Sequence, residues 1–225
     1  GAVALGPQHL QAHAADGARP MKPERITRAV EVILEETRRL GRIVDDFIQS
    51  ARPTQPDLVE RQLAPFIEHA ADLFRPECRH AGITLIVNVE PDLPPIFFDE
   101  HLLLQALRNL VRNAIDALAE HREAAREANP GYTPTLEIAV ALGGDCVNLS
   151  VIDNGSGIDT RTLEHVFEPY FTTKFHGTGL GLMVVYRIVT EHRGALHIDT
   201  QPGEGTRFTI SLPLHHRPVR LLQEQ

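Results

Sequence analysis

Three short stretches of the chain place polar and small residues where chemistry would need them. In QALRNLVRNAIDAL, Asn109 and Asn113 stand four apart and share one face of a helix, yet they lie among leucines and alanines that belong to a core. Asparagine is a mediocre helix former, and a buried amide needs partners. The pair reads in two ways: as polar residues satisfied by backbone or water, or as amide oxygens turned into a cavity to hold a hard cation. Mg2+ is such a cation, preferring oxygen ligands and keeping waters and phosphates in its shell. In VIDNGSGI a strand-like run ends in Asp153 and then reaches Gly155 and Gly157, which allow unusual backbone angles and the close approach of a flat ligand. Asp153 is placed to accept a hydrogen bond from an exocyclic amine such as adenine N6, although the same residues also make an ordinary Asn-Gly turn. In FEPYFTTKFHGTGLGLMVV, Gly177, Gly179 and Gly181 lead into a helical pattern, where main-chain N–H groups and the positive helix end attract a phosphate. Lys174 adds a mobile cation. These glycines do not follow a strand inside a βαβ unit, which argues against a dinucleotide fingerprint.

The elements that carry these stretches follow from hydrophobic periodicity. Over residues 24–51, Ile26, Val30, Ile33, Thr37, Leu40, Val44, Phe47 and Ala51 alternate at spacings of four and three, a coiled-coil seam. Such a narrow stripe needs another helix, and a dimeric bundle is expected, with the opening segment (Val3, Leu10, Ala14) as a short helix interrupted by Gly6 and Pro7. Pro53 and Pro56 mark a connection, after which a second domain begins. There Leu63, Phe66, Ile67, Ala70, Leu73 and Phe74 form a helical stripe, and ITLIVNVE alternates as a strand. A long helix starts near Asp99; TLEIAVAL and CVNLSVI read as strands joined by GGD. TGLGLMVVYRIVTEH reads as a helix, and ALHIDT and TRFTISLPL as a closing hairpin across QPGEG. The expected fold class is α+β: a two-layer α/β sandwich over residues 57–215, preceded by an α-helical hairpin over 1–53 and followed by a tail, 216–225.

Composition narrows the function classes. Acidic residues outnumber basic ones by 30 to 22 and the basic ones are scattered, so no nucleic-acid partner is expected. Hydrophobic residues make up 42%, enough for a core, but no apolar run approaches the roughly 20 residues of a membrane span. No membrane contact is expected from this segment. Cys78 and Cys146 stand in no CxxC or disulfide-like spacing and read as ordinary thiols in a reducing cytosol.

Taken in order, the stretches resemble the boxes of sensor histidine kinases. Asn109 to Ala114 resembles their N box, Asp153 to Gly157 their G1 box, Phe167 to Phe171 their F box, and Gly177 to Leu182 their G2 box, while GEGTRFTISLPL looks like the last hairpin of the same catalytic domain. The resemblance covers about residues 57–214. It implies the Bergerat ATP-binding sandwich shared with gyrase, Hsp90 and MutL, with a short lid of the nitrogen-regulation type between Phe171 and Gly177. It further implies ATP and Mg2+ as cofactors: Asp153 on adenine with Thr206 supporting that end, Asn109 and Asn113 organising Mg2+ and phosphates, and Lys174 with the G2 residues Gly177, Thr178, Gly179, Leu180 and Gly181 against the triphosphate. Phe167, Phe171, Gly155 and Gly157 complete the nucleotide site, and Asn109, Asn113 and Lys174 are its catalytic members. Hydrolysing relatives carry a glutamate four residues before the magnesium-binding asparagine, where this chain has Asn109. An amide is no general base at neutral pH, so the resemblance favours phosphoryl transfer, with the domain supplying positioning and charge stabilisation.

The same resemblance makes the helix over 24–51 the second helix of a dimerisation and phosphotransfer hairpin, with a homodimer through residues 1–51 and a response regulator receiver domain as partners. The H box of that hairpin has the form HExxNPL, and none of the twelve histidines fits it. Overlaying GAVALGPQHL on the helix that follows an H box leaves the acceptor histidine several residues upstream of Gly1, so that this chain alone is expected to bind ATP without phosphorylating itself. His9 and His13 have metal-pair spacing without a third ligand nearby and read as surface or packing residues. His176, in the lid, reads in two ways, as a residue that approaches the phosphates or as a solvated loop residue. Arg38, Arg39, Arg42, Asp45 and Asp46 read as the solvated face of the seam helix. The expected setting is the cytoplasm, as a free protein or the cytosolic part of a membrane-tethered sensor. Two other classes use the same features: a degenerate module that binds ATP only to dock a partner, and a protein serine kinase of the anti-sigma type. The intact boxes argue against the first and the seam helix against the second.

Overall fold

The computed structural model describes residues 55–125, 129–174 and 177–215, together with residues 30, 33, 34, 37 and 41. The chain divides into two compact units, Gly1–Val44 and Asp45–Gln225. In the first, residues 30, 33, 34, 37 and 41 are helical, as the seam periodicity predicts, and Val30, Ile33 and Leu34 are exposed. Thr37 Oγ1 donates to the carbonyl of Ile33 one turn back, at 2.7 Å. The remaining seam positions and the readings placed on His9, His13, His176, Arg38, Arg39, Arg42, Asp45 and Asp46 lie outside the described residues.

In the second unit the described elements run β1 (Val59–Arg61), α1 (Leu63–Ala81), β2 (Thr84–Val89), β3 (Ile96–Phe98), α2 (Glu100–Ala125), β4 (Thr135–Gly143), β5 (Cys146–Asp153), α3 (Thr160–Leu163), α4 (Gly181–Glu191), β6 (Ala195–Gln201) and β7 (Gly205–Pro213). Five strands form one sheet in the order β2-β4-β5-β7-β6, with β2 parallel to β4 and the other pairs antiparallel. β1 and β3 make a separate antiparallel ribbon, so part of the connection read after Pro53 is a strand.

Alternation decides which face of the sheet is covered. Leu136, Ile138 and Val140 of β4, Val147, Leu149 and Val151 of β5, and Phe208, Ile210 and Leu212 of β7 are buried, while their neighbours along each strand are mostly more exposed. The helices α1, α2 and α4 pack on this buried side, giving two layers, as the sequence predicts. α1 buries Leu63, Phe66, Ile67, Ala70, Ala71, Phe74 and Cys78 and ends on Gly82 in the left-handed conformation. One residue of the predicted stripe departs from it: Leu73 is exposed. It precedes Phe74 by one position, roughly 100° around the helix, and so falls on the flank of a stripe centred near Ile67 and Phe74.

One junction ties the start of α2 to the end of α4. The Asp99 carboxylate caps α2 by accepting from the main-chain N–H groups of His101 (2.9 Å) and Leu102 (3.1 Å), and its other oxygen accepts from Asp57 N–H (2.9 Å). The Asp99 N–H donates to Nε2 of His192 at 2.9 Å, while Nδ1 of the same ring lies 2.7 Å from the Ile188 carbonyl. A main-chain N–H only donates and a carbonyl only accepts, so His192, which is buried, carries its proton on Nδ1. His192→Ala removes both bonds and leaves a void beside α4. Urea unfolding should show a loss of about 2–4 kcal/mol, and a loss under about 1 kcal/mol would mean that the junction contributes little.

Candidate functional site

α2 has two faces. Leu103, Leu107, Leu110, Ala114 and Leu118 are buried against the rest of the core, while Asn109 and Asn113 on the adjoining face are only half-buried. The asparagines thus stand at the rim of the core, where a polar side chain retains access to partners. Asn109 meets the start of α4: a Cβ added to Gly181 would lie 3.6 Å from its Oδ1. Asn113 Oδ1 accepts from the Lys174 ammonium at 3.4 Å. The same ammonium lies 2.8 Å from Asp116 Oδ2, so a segment far away in the chain is brought onto α2 by its side chain.

Asp153 is the last residue of β5 and is buried. Strand register sets Thr206 of β7 directly opposite it. The carboxylate accepts from the main-chain N–H of Gly155 at 2.9 Å and is also held by the Thr206 amide. Burial pushes its pKa up to about 6, against the pull of these amides and of the Lys174 charge. Thr206 Oγ1 is 3.1 Å from Thr200 Oγ1, which accepts from Ile158 N–H at 2.9 Å, so the hairpin β6–β7 braces the turn after Asp153. Gly157 closes that turn with φ of +68°, and a Cβ there would collide with the Gln201 carbonyl.

The loop into α4 is bound to itself. Tyr170 N–H donates to the Gly179 carbonyl at 3.1 Å, and Gly177 N–H to the Lys174 carbonyl at 3.1 Å. Gly179 has φ of +67° and leaves no room for a side chain against the Tyr170 backbone. Leu180 is buried at the N-cap of α4 and its N–H lies 3.4 Å from Thr178 Oγ1. Among the described residues Leu180 makes no side-chain cap to this helix, and the positive helix end attracts a ligand anion. Phe167 packs at a tilt on Tyr186 of α4 (ring centroids 5.5 Å) and Phe171 on His165 (5.4 Å), so both phenylalanines of the F box brace the loop.

Sequence reasoning thus located two groups that the fold assembles, Asn109–Asn113–Lys174 with the start of α4, and Asp153–Gly155–Gly157–Thr206. It overlooked Asp116, though its signal was present: positions 109, 113 and 116 have the i, i+4, i+7 spacing of one helix face. It also overlooked the clamp formed by Tyr132, whose hydroxyl donates to the Asn154 carbonyl at 3.0 Å, and by Asn154 itself, whose side chain bonds Thr135 N–H (2.8 Å) and the Thr133 carbonyl (3.0 Å). No spacing rule reveals that contact, because it joins two separate loops. Asn113 Oδ1 and Asp116 Oδ2 already converge on a cation, the Lys174 ammonium, and oxygen donors are the set that a hard divalent ion takes. A surface cleft of about 510 Å³ lined by Phe66, His69, His101 and Leu104 shares no residue with this cluster.

The raised pKa of Asp153 has a thermodynamic consequence. Its folded value, about 6, lies above its ordinary 3.8, so the folded state holds the proton more tightly and the cost of burying the charge grows as pH rises through that window. The cost is absent near pH 4 and fully present above pH 6, at most about 3 kcal/mol. Denaturant unfolding of the wild type and Asp153→Ala across this range should show the variant gaining on the wild type as pH rises. A stability difference that stays constant from pH 4 to 7 would contradict the buried-carboxylate reading.

Residues 98–216 match the family described as histidine kinase-, DNA gyrase B-, and HSP90-like ATPase. Among curated proteins, sensor histidine kinase ZraS of Escherichia coli K12 is 35% identical over 185 residues, 82% of this chain and 37% of that protein. Sporulation kinase E of Bacillus subtilis is 31% identical over 183 residues, 81% of this chain and 23% of that protein. This chain therefore spans well under half the length of these relatives. Among solved structures, the catalytic domain of histidine kinase ThkA superposes with a TM-score of 0.59 at 28% identity, covering 70% of this chain and 96% of that one. ThkA in complex with the response regulator protein TrrA gives 0.68 at 25% identity, over 86% of this chain and 53% of that one. Full-length ShkA in complex with AMPPNP gives 0.67 at 25% identity, over 86% and 40%. With the family match lying across the folded unit that holds Asp153 and the asparagine pair, this protein belongs to the histidine kinase-, DNA gyrase B-, and HSP90-like ATPases and carries a catalytic domain of the sensor histidine kinase type.

Proposed function

We propose that the domain binds Mg2+-ATP and passes the γ-phosphoryl group to a histidine, from which a response regulator aspartate receives it. The observation that carries this reading is the buried Asp153 carboxylate at the strand end, held by main-chain amides beside a turn where Gly155 and Gly157 have no room for a side chain against the neighbouring backbone. In this role the carboxylate accepts the exocyclic amine of adenine, and the turn closed by Gly155 and Gly157 and braced through Thr206 fixes its direction. Asn109 and Asn113 would offer amide oxygens to Mg2+, which when bound would supply charge neutralisation to the phosphates. Lys174, the loop Gly177–Leu180 and the start of α4 at Gly181 hold the phosphates. Phe167 and Phe171 keep the lid docked on the domain. With an amide at position 109 the site has no general base there for water, which favours transfer over hydrolysis.

The wider setting is part of the same proposal. The exposed apolar residues Val30, Ile33 and Leu34 on a helical segment support a homodimer through residues 1–51, and the ThkA complex with TrrA supports a receiver domain as the second partner. No described helix is long and apolar enough to cross a membrane. Dependence on ATP supports a cytoplasmic setting, as a free protein or as the cytosolic part of a membrane-tethered sensor. The twelve histidines carry no H-box pattern, so the acceptor is assigned outside residues 1–225.

Asp153→Ala should weaken binding of a fluorescent ATP analogue by 100-fold or more. For the wild type, affinity should fall as pH drops through about 6, because the protonated carboxyl donates where it must accept. Unchanged affinity in the variant would remove Asp153 from the site. Incubation with γ-labelled ATP should leave this polypeptide without acid-labile label, whereas label on His9 or His13 would overturn the assignment of the acceptor.

A further inference from the structure

We propose that Asp116 is the anionic member of the cation site: its carboxylate, paired with Lys174 in the nucleotide-free chain, enters the shell of the divalent ion when a triphosphate arrives, and Lys174 moves onto the phosphates. This rests on the nucleotide reading above and adds to it a residue and an exchange.

Three observations support it. First, Asn109, Asn113 and Asp116 occupy one face of α2 over two turns, so the carboxylate continues the row of oxygens that the two amides begin. Second, a cation already stands between the last two of these: the Lys174 ammonium is 2.8 Å from Asp116 Oδ2 and 3.4 Å from Asn113 Oδ1. Third, that cation is exchangeable. The Lys174 and Asp116 side chains are 35% and 47% exposed, and an ion pair so open to water contributes little to stability. The Lys174 main chain is anchored separately, its N–H donating to Thr172 Oγ1 at 3.1 Å and its carbonyl accepting from Gly177 N–H at 3.1 Å. The side chain is therefore free to swing on its flexible stem without disturbing the loop.

Charge explains why the exchange follows from nucleotide binding. Two amide oxygens carry no net charge, whereas Mg2+ in phosphate sites is commonly held by one or two carboxylates together with the phosphates. A lone carboxylate beside a triphosphate repels it unless a cation lies between them. The nucleotide-free chain meets that requirement with Lys174. Once the ammonium turns to the phosphates, a divalent ion held directly or through water meets it instead.

The test is a titration with AMPPNP, by calorimetry, of wild type, Asp116→Asn and Asp116→Glu, each in Mg2+ and in EDTA. Because Asp116 is exposed, the variants should keep the wild-type thermal midpoint. In Mg2+, Asp116→Asn should bind about tenfold more weakly. In EDTA it should bind as well as the wild type or better, since a repelling charge is gone, so the Mg2+ enhancement falls at least tenfold. Asp116→Glu should recover part of that enhancement. Mn2+ titration followed by electron paramagnetic resonance, with AMPPNP saturating, should show about tenfold weaker metal binding in Asp116→Asn. Equal weakening in Mg2+ and EDTA would mean that Asp116 only anchors the lid, and no change in either would remove it from the site; both results overturn the proposal. Failure of the wild type to bind AMPPNP in Mg2+ would overturn the nucleotide reading itself.

Discussion

Helix α2 works under a constraint that governs the rest of the domain: it must bury one face in the core while holding a polar row open along its edge. The buried row runs through Leu103, Leu107, Leu110, Ala114 and Leu118, and the polar row through Asn109, Asn113 and Asp116. The two rows are adjacent on one cylinder, so any rotation of the helix that exposed the amides further would also lift leucines from the sheet. Fixing the rotation is the work of the elements around it. Asp99 caps the helix start and, through its own N–H and His192, ties it to the end of α4. Farther along, the Ala117 carbonyl lies 3.4 Å from Ser156 N–H, so the turn after Asp153 rests on the same helix.

The second half of the site carries a cost that the first does not. Asparagine amides at the rim of a core are tolerated because water and neighbours satisfy them, but Asp153 is a carboxylate withdrawn from water at the end of a central strand. Main-chain amides offset part of that penalty and leave its pKa raised. The arrangement trades stability for a directed acceptor, and the strand register that places Thr206 opposite, together with the clamp of Tyr132 and Asn154, keeps that acceptor from relaxing toward solvent. Lys174 links the halves: it touches Asn113 and Asp116 and acts through space on Asp153.

Residue spacing by itself determined the kind and order of the longer elements, though not β1, β3 or α3, and it singled out the candidate site residues. Period-two alternation specified the strands of the sheet because one face is buried, and period 3.6 specified α1, α2 and α4 because each buries a stripe. Asn109, Asn113, Asp153 and the glycines were legible because each breaks the rule of its surroundings: an amide in an apolar helix, an acid at the end of a buried strand, glycine before a helix. Only the tertiary structure decided what depends on distant partners. That Val59–Arg61 pairs with Ile96–Phe98, that His192 receives the Asp99 N–H, and that Lys174 meets Asp116 are contacts between segments remote in the chain. Local periodicity records which side of an element faces inward. It carries no record of which other element arrives there, because that is settled by how the whole set of faces packs at once.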